Sequence, residues 1–599
     1  MLHRPLLLAG LGLAFALTAP AQNIAEELHR TIQPAISPAV IESAMGITRR
    51  ETQIRCLLTS DDLDYNTRKT RVLLIGGLDG SRGSVAAVVA ALRWFYTAPA
   101  ARAWRRNFAI SAVPVANPDG WALAAGPGNG SGGNPTTGYP PKGEAYSSPT
   151  DPEAAYLWRW IGMHAPDLVV DVRSGPEARW YIPEAQDPQL HALAKILRPA
   201  AESPAAGTLA AALVRTAPSN TGTIPAVEVH WPEKDQTGWL RQLLVTLKRS
   251  QFHGPSAARS EIQRRLARSP VEVAQQLSRR YGHDLNEVAY QPALALIGRI
   301  WLGELTKDTQ QLADVENIVA PYFTGAKKAI PKKASGVNFA GHLVFGELAR
   351  ATGKSRYIDL AREAADYGFD EQGMPREALP GHNEMSDAVF MGGPIEAQVG
   401  RLTGEAKYYD MSLRNMRFLL VLDRRSDGLY RHSPLDQAAW GRGNGFPALG
   451  LALSLSYFPP EQAGREEILR AFRAHMAALA RFQDPTGAWH EVIDVPGSYR
   501  ELTATCMIGF SMLRGVRLGW LEKDRYLPLA EKAWYAVRTR VAPDGGLVDV
   551  CISTGKQPNL RAYLDRTAIL GPDQRGGAMA LLIATEAARW QAENPGWRP

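Results

Sequence analysis

Two segments carry residues that could do chemistry. The first is Ser386-Asp387-Ala388-Val389-Phe390-Met391-Gly392-Gly393-Pro394, and about fifty residues later comes Trp440-Gly441-Arg442-Gly443-Asn444-Gly445-Phe446. Together they place an acid, a fixed cation and aromatic faces near helix ends. A carboxylic acid at the edge of an apolar run can hold and release a proton. A guanidinium flanked by glycines presents a planar fork that matches a carboxylate better than an ammonium does. Aromatic faces cover sugar rings. That combination is what a site for an acidic sugar requires.

Further candidates follow glycine turns: His432 after Asp427-Gly428-Leu429-Tyr430-Arg431, then Trp489 and His490, and Glu501 ahead of Leu502-Thr503-Ala504-Thr505. Each also has a plain structural reading. Asp387, after the polar His382-Asn383-Glu384, could be a helix N-cap or first-turn acid. Arg442 could form an ordinary salt bridge, His432 could lie on the surface, and Trp440, Phe446 and Trp489 could be core. For Glu501 the structural cap is the preferred reading.

The elements that must position these residues are helical. Tyr357, Leu360, Ala361, Ala364 and Ala365 fall at the spacing of one helix face, and so do Tyr526, Leu529, Ala530, Ala533 and Trp534. Thr352-Gly353-Lys354-Ser355-Arg356-Tyr357-Ile358-Asp359 and Thr403-Gly404-Glu405-Ala406-Lys407-Tyr408-Tyr409-Asp410 are near copies, 51 residues apart. The turns at Gly373, Gly428, Gly487 and Gly545 keep the same rhythm, at 55, 59 and 58 residues. About six helical hairpins therefore fit between 271 and 599. Periodicity alone leaves open a closed ring or an open solenoid.

Residues 40–255 read differently, as an α/β layer domain in which Arg71 to Ile75, Ala109 to Val115 and Leu168 to Val172 are strands buried on both faces. Gly126 to Gly133 mimics a phosphate loop, but no strand leads in and no helix follows, so it reads as a mobile surface loop.

The chain has 599 residues, 45% hydrophobic and 21% charged, with net charge +7, a globular composition that mildly favours polyanions. Lys and Arg form no dense stripe, which argues against nucleic acid. Arg4, the apolar run from Leu6 to Leu17 and Ala19-Pro20-Ala21 read as a signal peptide over residues 1–21, too short to span a membrane, so a periplasmic or secreted location is expected. Cys56, Cys506 and Cys551 read as buried free thiols, with a Cys506–Cys551 bridge as the alternative.

The Asp387 and Arg442 segments resemble the unsaturated glucuronyl and rhamnogalacturonyl hydrolases, glycoside hydrolase families 88 and 105. The resemblance implies an (α/α)6 toroid and a site in which Asp387 is the catalytic acid and base, with a raised pKa. His432, in a Gly-Leu-Tyr-x-His word, would face the sugar, and Trp440, Arg442, Asn444, Phe446 and Trp489 would bind it. Phe446 departs from the Trp usual there. The family's second Asp falls in the region of Gly336-Val337-Asn338, and with Asn338 as its equivalent that carboxylate is missing. The implied substrate is an acidic oligosaccharide from a polysaccharide lyase. The implied reaction is hydration of its C4=C5 enol ether, with no cofactor.

The first half resembles the zinc carboxypeptidases, through Gly76 to Gly83, Asn117-Pro118-Asp119-Gly120 and Glu228 in Pro225-Ala226-Val227-Glu228-Val229. Asp79, Arg82 and Arg173 stand where that family has its metal ligands. No metal is therefore expected, and the domain reads as a non-catalytic scaffold or ligand-binding unit. The rival functions are a carbohydrate-binding pseudoenzyme and a carboxypeptidase activity in the first half.

Overall fold

Central strands that are apolar on both faces dictate a sheet covered on both sides, and the computed structural model has one. It describes residues 19–597 except 125, 144, 199, 201, 202, 382 and 383, and the side chains of 19–23 are also outside it. Residues 1–18, most of the segment expected to be a signal peptide, and the His382-Asn383 pair thus lie outside the described residues.

Seven strands, β1 (Ile41–Ile47), β2 (Gln53–Leu58), β3 (Thr70–Ile75), β4 (Phe108–Val113), β5 (Leu168–Ser174), β6 (Arg179–Tyr181) and β7 (Ala226–Trp231), form one mixed sheet in the order β1-β2-β4-β3-β5-β7-β6. β3 pairs in parallel with β4 and β5, and β5 with β7, while β1, β2 and β6 join antiparallel. Val72 and Leu74 point into the core with Arg82–Thr97, Pro188–Leu197 and Gly238–Arg249. Leu73 and Ile75 point to the opposite core with Pro152–His164, Leu209–Leu213 and Ala257–Leu266. This two-sided burial is why the strands lack polar alternation.

The glycine-rich segment is a loop, but it does not hang free. The buried Asn129 accepts from the backbone N–H groups of Ser131 and Gly133 and donates to Thr150 O and Glu153 Oε2, so one side chain ties the segment to the domain.

In the second half, six inner helices touch in a closed cycle: Tyr290–Thr306, Leu343–Thr352, Gly393–Thr403, Gly441–Tyr457, Leu502–Arg517 and Gln574–Glu593, the last returning to the first. Each is backed by an outer helix, in turn Thr309–Phe323, Arg356–Ala365, Ala406–Asp423, Arg465–Ala480, Lys523–Arg540 and Pro270–Ser278. The repeated words are joints between the two kinds. Gly353 and Gly404 end inner helices at φ of 71° and 74°, a conformation glycine adopts at little cost, and the Arg356 and Ala406 helices begin within three residues. The apolar face read at Tyr357, Leu360, Ala361, Ala364 and Ala365 is buried throughout. Of its counterpart at 526–534, Leu529 is only partly buried.

The two halves meet closely. Arg500 donates to Ala44 O and pairs with Asp484, Arg49 pairs with Asp565 at 2.6 Å, and Arg561 donates to Thr48 O at 2.9 Å. All three cysteines are buried and free. Among the described residues no helix is long and apolar enough to cross a membrane.

Candidate functional site

Asp387 sits at the start of the one-turn helix Ala388–Met391, where its backbone carbonyl accepts from Phe390 and Met391. Its side chain makes no capping hydrogen bond. The carboxylate is buried yet uncommitted, unlike that of Glu501, whose Oε2 accepts from Ala504 N at the start of Leu502–Arg517 and fills the structural role expected of it.

What Asp387 faces is His432. Oδ1 lies 3.5 Å from Nε2, and neither atom has a hydrogen-bond partner among the described residues. Three links hold the segments in place: Ser386 N donates to His432 O at 3.0 Å, Ser386 Oγ donates to Gly443 O at 2.6 Å, and Tyr430 N donates to Asn444 Oδ1 at 2.8 Å. The His432 ring is fully buried against Trp440, with centroids 4.4 Å apart. Glycine at 443 suits this convergence, since a Cβ there would lie 3.0 Å from the Trp440 ring and 3.1 Å from Ser386 Oγ, closer than ordinary contact.

Tyr563 completes the arrangement, its Oη 2.9 Å from His432 Nδ1. Burial moves its phenol pKa up, so it keeps its proton, and its oxygen also accepts from Gln557 N. This favours a Tyr563 O–H donated to Nδ1, with the imidazole proton on Nε2, facing Asp387. Tyr563 lies on Leu560–Leu564, between β10 (Leu547–Cys551) and β11 (Ala568–Gly571), and the Arg49 and Arg561 contacts tie this helix to the α/β half. Lys556, in the same connection, pairs with Glu384, three residues before Asp387.

A second carboxyl group bears on the first. Asp423 is fully buried at the end of Ala406–Asp423, with Arg431 Nε 3.7 Å from its Oδ1 and no hydrogen-bond partner within strict range of either carboxylate oxygen among the described residues. Burial raises its pKa to about 7; Arg431 opposes the shift and the charge of Asp387 adds to it.

The remaining predicted binding residues lie behind this front. Arg442 donates to Cys551 O at 2.8 Å and Ile552 O at 2.7 Å and lies over the Trp440 ring. Burial opposes its charge, and Cys551, Tyr290, Glu501 and Glu491 outweigh burial and raise its pKa. Asn444 spends its side chain on the backbone of Tyr430 and on Trp440 O, positioning the strand that leads to His432. Phe446 packs between Tyr290 and Phe390, at 5.6 and 5.4 Å. Trp489 is wholly buried, with its indole N–H on Leu479 O. His490 lies between Ser498 O and Asp484. Asn338 caps its own helix through Ser335 and donates to Glu287 and Val288 O.

Sequence reasoning missed Tyr563, Asp423 and Glu491. Glu491 adjoins the Trp489-His490 pair and could have been weighed with it. It accepts from Trp440 Nε1 at 2.9 Å and from the Cys551 thiol, and burial, aided by Glu501, lifts its pKa to about 8. Nothing local marks Tyr563 or Asp423.

In the α/β half, Arg173 pairs with Asp171 at 2.8 Å and lies 3.4 Å from Glu228, so its guanidinium neutralises both acids.

A model of the family described as Glycosyl Hydrolase Family 88 matches residues 263–591. The unsaturated rhamnogalacturonyl hydrolase YesR of Bacillus subtilis is 26% identical over 252 residues, 39% of this chain and 71% of that protein. An unsaturated 3S-rhamnoglycuronyl hydrolase of Alteromonas sp. is 26% identical over 219 residues, 34% of this chain and 51% of that protein. A solved structure from Salmonella enterica, described as a possible member of the GH105 family, is 21% identical and covers 53% of this chain and 93% of its own, with a TM-score of 0.47.

Proposed function

The chain belongs to Glycosyl Hydrolase Family 88, and from that premise we propose that it removes an unsaturated uronic acid from lyase-generated oligosaccharides by adding water across the C4=C5 double bond. The observation that supports this reading best is a buried, uncapped carboxylate, Asp387, opposed to His432 at 3.5 Å with both facing atoms unpartnered. The closed cycle of helices is read as the (α/α)6 toroid, with these residues at its mouth.

In this mechanism protonated Asp387 delivers its proton to C4, and water adds to C5 while giving one proton back to the same carboxylate. One group thus serves as acid and then base. The C5 hemiketal opens to a ketone, its ring oxygen becomes a hydroxyl on C1, and the C1 hemiacetal expels the rest of the saccharide. His432 would bind a polar group of the sugar beside Asp387. Trp440 and Arg442 would line the site as a cation and aromatic pair. Asn444, Phe446 and Trp489 would act by shaping it, because the protein already occupies them.

The α/β half is proposed as a non-catalytic, carboxypeptidase-like module that braces the Leu560–Leu564 helix, and thereby Tyr563, through Arg49, Thr48 and Arg561. Export to the periplasm or the medium is proposed from the leader alone. The binding-only reading draws on Asn338, an amide committed to Glu287 and Val288.

Incubation with lyase-generated unsaturated disaccharides decides between them. Loss of the double-bond absorbance with the native protein, reduced by about 10²- to 10⁴-fold in Asp387→Asn, is the expected result. Persistent absorbance across pectic, ulvan and glycosaminoglycan products would establish the binding-only role instead.

A further inference from the structure

Between the two halves, away from Asp387, lies a cavity of about 230 Å³. Its wall draws Tyr146 and Arg159 from the α/β half, and Tyr499, Arg500, Arg540 and Asp549 from the helical half. We infer that this cavity is a second ligand site, for a small hydroxylated organic acid carrying one carboxylate on a single ring, such as a free hexuronate.

Charge accounting is the first reason. Arg500 is matched by Asp484, with both contacts at 2.8 Å. Asp62, on the far wall, lies 4.0 Å from Arg71 and accepts from Thr59. Arg540 has no such match. Only 5% of it is exposed and it forms no ion pair among the described residues; its Nη1 donates to Ala536 O and Thr539 Oγ1, and its Nε has no partner. The nearest acid to Arg159 is Asp549, 3.7 Å from Nη1, beyond hydrogen-bonding range, and that nitrogen too is unpartnered. Among the described residues Asp549 is thus the one carboxylate in ion-pair range of Arg159, and Lys532 adds a further cation to the wall. An uncompensated buried guanidinium destabilises the fold, and an incoming anion removes that penalty.

Shape and lining give the rest. The Tyr146 and Tyr499 rings, both on the cavity wall, stack in parallel with centroids 4.7 Å apart. Asp549 is held at φ 64°, where the β10–β11 register shifts, and so turns its carboxylate to Tyr146 and Arg159. Strain of this kind in a non-glycine residue gathers at binding sites. At about 30 Å³ per water the volume equals roughly seven or eight waters, which is room for one sugar ring and too little for two.

The inference stands apart from the hydrolase reading, and the test keeps them apart. Isothermal titration of the full chain with sodium glucuronate, glucose and inorganic phosphate should give saturable binding of glucuronate, with glucose at least tenfold weaker and phosphate weaker than glucuronate. Arg540→Gln and Arg159→Gln should each weaken glucuronate tenfold or more, while His432→Ala leaves it unchanged. Circular dichroism checks folding, and if Arg540→Gln does not fold, Arg159→Gln carries the result. Absence of glucuronate binding, equal binding of glucose, preference for phosphate, or loss in His432→Ala with retention in Arg159→Gln would each overturn the assignment. Turnover of unsaturated disaccharides by Arg159→Gln reports on the other site separately.

Discussion

The Asp387 carboxylate faces the His432 imidazole at 3.5 Å, Oδ1 to Nε2, with neither atom hydrogen-bonded to any other described residue. Burying two polar atoms without partners costs free energy, and a folded chain retains them where a ligand or a proton will supply the missing contact. The pair is set by neighbours that do no chemistry: Ser386 bridging to His432 and Gly443, and Asn444 gripping Tyr430.

Tyr563→Phe removes the hydroxyl beside His432 Nδ1 and leaves the ring packing in place. We expect kcat to fall about tenfold, the worth of about 1.4 kcal/mol, with KM nearly unchanged and the pH–rate profile displaced as the imidazole loses its fixed tautomer. An unaltered profile would make Tyr563 a packing residue only.

Asp423→Asn tests the second carboxyl. Burial, with the charge of Asp387 adding to it, raises the Asp423 carboxyl to about 7, so a limb of the pH–rate profile near 7 that belongs to Asp423 should be lost in the variant. A limb that persists in the variant counts against that assignment.

Glu491 makes stability depend on pH in a defined direction. Its pKa is raised to about 8, so between its ordinary value and 8 the folded state holds a proton that the unfolded state has lost, and stability falls as pH rises through that window. Glu491→Gln should flatten the fall, by on the order of a few kcal/mol between pH 5 and 8 at about 1.4 kcal/mol per pKa unit. Urea unfolding of both proteins at each pH measures it, and parallel pH dependences would contradict the assignment.

Phe446→Trp restores the residue that the family resemblance leads one to expect. Phe446 is sealed between Tyr290 and Phe390, so the larger ring must overpack, costing about 1–3 kcal/mol and lowering Tm. A variant of native stability with a lower KM would instead mean that position 446 reaches the sugar.

Much of the helical half was legible because helix periodicity and glycine turns are local properties of the backbone. The faces at 357–365 and 526–534 and the hinges at Gly353 and Gly404 follow from words only tens of residues long. Burial was not legible. Asn444, Phe446 and Trp489 read as groups for a sugar, yet the folded chain has already spent them on backbone and core. Closing the ring of helices brought Tyr563 to His432 across 131 residues, and docking the sheet against that ring placed Arg159 beside Asp549. Contacts at such separations depend on how whole elements pack, which no local pattern of residue types encodes.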